Sequence, residues 1–236
     1  MLVIAVLLTG RSVADDVWPA PPPVYVGGGR FTDVRFTTKA YHDEAFKLVL
    51  EEANKAANQL KLETCLPLTS SNIVESFISP YEYARESHCI GNMTTSNYMY
   101  GVCEGCKLSF VECAHQDQWC RTFQRNYTWP TNRIDFKEAY QQATQWLQLA
   151  SMDVEALNRD CKWTVELDHY SVDPPRGKFV PVYWIIWKLG TNAGAPASVE
   201  LFTPTKTLLG LRMEDSKYIL RPPLVFTNLQ KLISSP

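Results

Sequence analysis

Apolar residues recur at steps of three and four from His42 to about Leu62, at Phe46, Val49, Leu50, Ala53, Ala56, Ala57 and Leu60. That spacing predicts an amphipathic helix with Glu44, Lys47, Glu51, Glu52, Lys55 and Lys61 on its polar face. Asp43 and Glu44 in the first turn and Lys61 in the last suit the helix dipole. A second helical stretch opens at Asp135, where Asp135-Phe136-Lys137-Glu138 is close to a capping box. Ala139, Ala143, Trp146, Leu147 and Ala150 form its buried stripe. Ser151-Met152-Asp153 breaks the rhythm, and Asp153 is placed to cap a short extra turn through Leu157.

Beyond that turn the period changes from helical to two. In Lys162 to Asp168, Trp163, Val165 and Leu167 alternate with charged and polar residues, which predicts a strand with one wet face. Asp173 to Gly177 reads as a turn, and Phe179 to Trp187 as a strand apolar on both faces, hence central. Ser198–Phe202 and Thr207–Met213 continue an antiparallel meander. Pro222-Pro223 ends it, and Thr227 is placed to cap a last helix through Leu232. The first half carries a weaker version. Asn97–Val102 and Lys107–Glu112 flank Glu104-Gly105, a two-residue hairpin turn in this reading. Val34–Thr37 is a short edge strand.

The expected fold is therefore α+β, with a helix followed by an antiparallel meander, twice. Residues 31–130 would form one unit and 131–236 the other, packed as one domain or as two. Glu44-Ala45-Phe46 and Glu138-Ala139-Tyr140 hold the same early place in the two helices. Amphipathic helices also resemble one another by chance, so the echo leaves a duplication open.

Ahead of these units, Leu2 to Leu8 is an apolar run closed by Ser12-Val13-Ala14, the pattern of a secretory leader over residues 1–14. The run is too short to cross a bilayer, and no Lys or Arg follows Met1. A Pro/Gly-rich lead-in follows over 15–30, with Pro19, Pro21 to Pro23 and Gly27 to Gly29, to which no regular structure is assigned. Export places the protein in a secreted or periplasmic, oxidising setting, where cysteines serve as staples. The chain has 236 residues, 45% apolar and 20% charged, with a net charge of −2. Its Lys and Arg are scattered, which disfavours a nucleic-acid partner. No later segment is apolar for long enough to span a membrane.

A helix followed by a curved antiparallel sheet resembles the cystatin and PepSY group of small exported domains. The stretches Arg133 to Cys161, Phe179 to Trp184 and Tyr218 to Leu224 are also similar to uncharacterised exported bacterial proteins. The likeness covers most of residues 30–233. It implies a fold and brings no activity with it. Inhibitory cystatins carry a Gln-x-Val-x-Gly hairpin, a motif this sequence lacks.

Chemistry concentrates in the cysteines, Cys65, Cys89, Cys103, Cys106, Cys113, Cys120 and Cys161. Five lie between 89 and 120. With Glu104-Gly105 as a two-residue turn, Cys103 and Cys106 would face each other across the ladder end, as a disulfide or as half of a zinc knuckle. Zinc would need two more ligands from Cys89, Cys113, His115 and Cys120. A lone CxxC is weak support for zinc or redox chemistry, and disulfide staples or buried thiols are the leading reading. Cys161, far from the cluster, is the expected unpaired thiol. Of the histidines, His42, His88, His115 and His169, none belongs to an HExxH motif, and no nucleophile elbow, P-loop or GxGxxG is present. Asn92-Met93-Thr94 and Asn126-Tyr127-Thr128 match the glycosylation acceptor pattern, relevant only to a eukaryotic secretory host.

Trp163, Tyr183, Trp184 and Trp187 fall on adjacent strands. Core packing is the commoner use of such residues, and an aromatic face for a sugar or peptide is the alternative. The expected function is an exported, non-enzymatic binding or interaction protein for a protein, peptide or carbohydrate ligand, without a cofactor. The alternative is an exported zinc- or cysteine-dependent enzyme centred on residues 88–120. Mass spectrometry of the mature protein from its native source is expected to find its N-terminus at Asp15. A chain still carrying Met1 to Ala14 would remove the leader and the oxidising setting inferred from it.

Overall fold

The structure, a computed structural model, describes residues 25–26, 30–31, 39–79, 89–103, 107–114, 134–167, 182–190 and 194–220. The leader, Val34–Thr37, the turn at 173–177 and the helix expected after Thr227 lie outside these. Within the lead-in, β1 (Tyr25–Val26) pairs antiparallel with β2 (Arg30–Phe31). The stretch expected to lack regular structure thus contains a small ladder.

The main body is α+β. Helix α1 (Lys39–Leu60) is followed by strands β3 (Glu75–Ile78), β4 (Cys89–Thr94), β5 (Tyr98–Cys103) and β6 (Lys107–Cys113). Helices α2 (Phe136–Leu149) and α3 (Val154–Asp160) then precede β7 (Lys162–Leu167), β8 (Val182–Lys188), β9 (Ala197–Phe202) and β10 (Thr207–Met213). All eight strands from β3 onward join one antiparallel sheet in the order β3-β4-β5-β6-β10-β9-β8-β7. The last strands of the two halves, β6 and β10, lie side by side at its centre, with Val111 opposite Leu211. The strand at 182–188 is apolar on both faces but sits next to the β7 edge. Two-sided burial marked it as interior without locating the middle.

Both helices pack on one face. The core there joins Val49, Ala53 and Ala57 of α1 and Ala139, Ala143 and Leu147 of α2 to Met93, Tyr100, Val111, Ile185, Val199 and Leu211 of the sheet. Four alanines of α1 are buried (Ala45, Ala53, Ala56 and Ala57), and such short side chains let a helix axis approach a sheet closely. The α1 stripe is rotated from its expected position. Tyr41, Ala45, Val49, Glu52 and Ala56 are buried, while Phe46 and Leu50 are half-buried. Glu52, expected on the polar face, continues the 45-49-52-56 spacing and is 3% exposed. Its carboxylate meets Lys55 Nζ at 3.1 Å.

The helix ends also separate local from non-local causes. α1 begins at Lys39, earlier than the apolar period suggested, so its first turn has no acidic residue and its last no basic one. Lys61 lies just past the end at φ 56°, and Leu62 N–H closes back on the Ala57 carbonyl at 3.0 Å. That left-handed exit terminates the helix. α2 is capped as the sequence predicts, with Asp135 Oδ1 accepting from Glu138 N–H at 2.7 Å. The Glu138 carboxylate meets Lys206 at 2.5 Å. Asp153 caps α3 through Ala156 N–H at 2.9 Å.

Cross-strand packing sets one further residue type. A methyl group on Gly101 would lie 2.0 Å from the Phe110 ring, which covers that glycine from the neighbouring strand. Gly101→Ala is therefore expected to cost about 1–3 kcal/mol in urea unfolding. In a Phe110→Ala background the same change should cost much less. Equal costs in both backgrounds would show that the ring is not what requires glycine.

Candidate functional site

Among the described residues, the sheet face opposite α1 and α2 carries a continuous arrangement of polar and aromatic groups. Because cross-strand partners share a face, register alone assembles rows across it. One row runs Glu75, Thr94, Met99, Glu112, Gly210, Glu200, Trp184, Glu166 from edge to edge. The adjacent row runs Phe77, Asn92, Gly101, Phe110, Arg212, Ser198, Ile186, Thr164. Four of the eight positions in the first row are carboxylates. Arg212 pairs with Glu112, and Lys188 with Glu166 at 3.1 Å. Trp184, 36% exposed, stands between Glu200 and Glu166. At the centre Gly210 contributes no side chain, and a Cβ there would meet Glu200 at 3.3 Å.

The four aromatic candidates do not form one surface. Tyr183 and Trp187 point to the helix side, where both are buried. Tyr183 Oη donates to the Ile134 carbonyl at 3.2 Å, and Trp187 Nε1 donates to Asn158 Oδ1 at 2.9 Å. Trp163, opposite Trp187 on the edge strand, is 42% exposed and stacks on Tyr140 with ring centroids 4.3 Å apart. These three hold α2 and α3 against the sheet. The alternation of β8 sends Trp184 to the other side. The expectation of a shared aromatic face is corrected, because Trp184 is separated from the rest by the sheet itself.

The cysteine cluster is divided as well. Cys103 lies opposite Lys107, so the paired positions are separated by three residues in the sequence and not the two expected. The position opposite Cys103 is thus held by Lys107, and Cys106 of the expected facing pair lies outside the described residues. Across the other edge of its strand, Cys103 is the direct partner of Cys89. Cys113 sits at the opposite end of the β5–β6 ladder, against Tyr98. Cys65 is exposed after α1, and Cys161 is buried with its Sγ 3.9 Å from Tyr218 Oη. Cys106, Cys120, His88, His115 and His169 lie outside the described residues. No disulfide joins two described cysteines, and no three described His, Cys, Asp or Glu residues are grouped to hold a metal ion. Burial pushes the Cys103 thiol up, and Lys107 opposes that shift.

Two polar clusters were not apparent in the sequence. The Glu63 carboxylate accepts from Thr95 Oγ1 at 2.5 Å, Asn97 Nδ2 at 2.7 Å and Tyr100 Oη at 3.1 Å. It ties the exit of α1 to the β4–β5 turn. Beyond β10, Tyr218 is buried beneath Lys217, and Asp160 Oδ2 accepts from Lys217 Nζ at 2.7 Å and Tyr218 Oη at 3.3 Å. The Lys217 hydrogen bond holds the Asp160 carboxyl below its ordinary range and the Lys217 ammonium above its own. Burial raises the Cys161 thiol beside them, which leaves it protonated and poorly nucleophilic near neutrality. Both clusters fasten returning chain to the helices. A Glu three residues past a helix end, and a Tyr after the last strand, carry no local signal of such contacts.

Comparison of the chain with protein-family models, curated proteins and solved structures found no match. Among the described residues no helix is long and apolar enough to cross a membrane.

Burial, with smaller contributions from Cys113 and Glu63, pushes the Tyr98 phenol up to about 12. Tyr100 is raised further, by burial and then by Glu63. A raised folded-state value means the unfolded chain gives up these protons first. Their contribution is intact below about pH 10 and is lost as pH climbs from there toward 12. Glu63→Gln should lower the pH at which Tyr100 ionises, read by phenolate absorbance. It should also cost about 1–3 kcal/mol at neutral pH. An unchanged alkaline titration would show that Glu63 does not control that phenol.

Proposed function

We propose that this chain is an exported, non-enzymatic binding protein whose ligand docks around Trp184 on the sheet face opposite α1 and α2. In this reading two cystatin/PepSY-like units, each a helix on a four-stranded meander, join through β6 and β10 into one platform. The observation that carries it is Trp184, 36% exposed, held between Glu200 and Glu166 in a cross-strand row on the face opposite the one where Tyr183 and Trp187 are buried. An indole face flanked by carboxylates suits a ligand that offers an apolar or cationic surface together with hydrogen-bond donors. A sugar ring and a Lys- or Arg-bearing peptide both meet that description.

Peptide and glycan arrays probed with the full mature chain distinguish these ligand classes. Trp184→Ala should weaken the strongest array interaction about 30-fold, the usual loss for a central tryptophan contact, and leave the melting temperature nearly unchanged. Binding that survives Trp184→Ala would place the ligand elsewhere. Turnover of a chromogenic peptide or glycoside panel by the chain would reject the non-enzymatic reading.

A further inference from the structure

We propose that Cys89 and Cys103 are a disulfide pair, closed across β4 and β5 by a thiol-oxidising partner of the disulfide class. They are direct Cα partners in the antiparallel ladder. Opposed residues in such ladders have Cα atoms about 4.5–5.5 Å apart, within the roughly 4.4–6.8 Å that a disulfide spans. By strand alternation their side chains share the sheet face opposite α1, as does Lys107 on β6. Both residues are half-buried. The two strands are already aligned by the short connection at 95–97, so closure requires no search of the chain.

The local backbone supports the same pairing. The ladder shifts register between Cys89 and Gly91, a bulge directly beside the pair. Bulges interrupt pairing and loosen the end of a ladder, and a covalent link at that point would hold it. Gly91 cannot be enlarged there, since a Cβ would lie 2.5 Å from the Phe77 carbonyl oxygen. Cys103–Cys106, the pair that sequence spacing suggests, has no such support, because Lys107 occupies the position opposite Cys103.

Closure proceeds by exchange. The thiolate of one cysteine attacks the oxidant's disulfide, forms a mixed disulfide and expels one thiolate. The second cysteine, deprotonated, attacks the protein sulfur of that mixed disulfide and expels the other. Two thiols lose two protons and two electrons, and one oxidant disulfide takes up both as two thiols. The bridge does not depend on the binding reading above, and purified chain suffices to test it.

Reduced, folded chain is equilibrated with glutathione disulfide, alkylated, and digested to cleave after Tyr100 and Glu104. These cuts isolate Gly101-Val102-Cys103-Glu104 from both Cys89 and Cys106. The expected product is that tetrapeptide linked to the Cys89 peptide, still formed in Cys106→Ser and absent in Cys89→Ser. The oxidised chain should also melt at a higher temperature than the reduced one, a difference that Cys89→Ser abolishes. Linkage of Cys103 to Cys106, or full alkylation of Cys89 and Cys103 after oxidation, would overturn the assignment.

Discussion

The pairing of β6 with β10 is the constraint on which the rest of the architecture depends. A four-stranded meander has two edges, and each edge presents unpaired backbone donors and acceptors that invite association. Joining the halves through their last strands removes two of the four edges. It also fixes which way each meander runs from the centre. β3 and β7 become the outer strands, α1 and α2 come to lie over the same face, and the two sets of apolar side chains merge into one core. Val111 opposite Leu211 is where those cores meet. Without this seam, each half would expose a strand whose inward face is wholly apolar.

Once the seam is set, strand alternation divides chemistry between two environments. The helix side takes large apolar groups and a few polar atoms whose hydrogen bonds are internal, as with Trp187 on Asn158 and Tyr41 on the Ser79 carbonyl. The opposite side takes Glu, Thr, Asn and Arg in rows that only register can define. Small residues stand where a neighbour needs their space: Gly101 under the Phe110 ring and Gly210 beside Glu200. The far side is not uniformly polar. Val182, Ile186, Phe202 and Leu209 are buried there, outside the main core.

Much of this was legible because it is local. Asp135 and Asp153 announce their helices through side-chain acceptors within three residues, and β7 announces itself by alternation. The seam was not legible, since no period in the sequence records which strand of one half meets which of the other. The ladder position opposite Cys103, held by Cys89, was hidden for the same reason. A CxxC invites pairing along the chain, whereas the ladder pairs across fourteen positions. Glu52 misled because charge was given more weight than spacing, and its place in the 45-49-52-56 series outweighs the cost of burying a carboxylate beside Lys55. Of the four aromatic candidates, alternation along β8 already separates Trp184 from Tyr183 and Trp187. That parity is readable in the sequence once the strand is assigned.

The carboxylates show how position, more than residue type, decides what an acidic group does. Glu63 is surrounded by three donors from a turn and a buried tyrosine, so it is committed to holding chain segments together. Glu112 and Glu166 meet their cations in partly exposed pairs, and an exposed ion pair contributes about 0–1 kcal/mol and is screened by salt. Interactions that weak can be exchanged for contacts with a ligand at little cost, whereas the Glu63 network cannot be exchanged without loosening β4 and β5. The row opposite α1 and α2 grades from a buried centre at Gly210 to exposed ends at Glu75 and Glu166, so the ion pair at the Glu166 end is of the exchangeable kind.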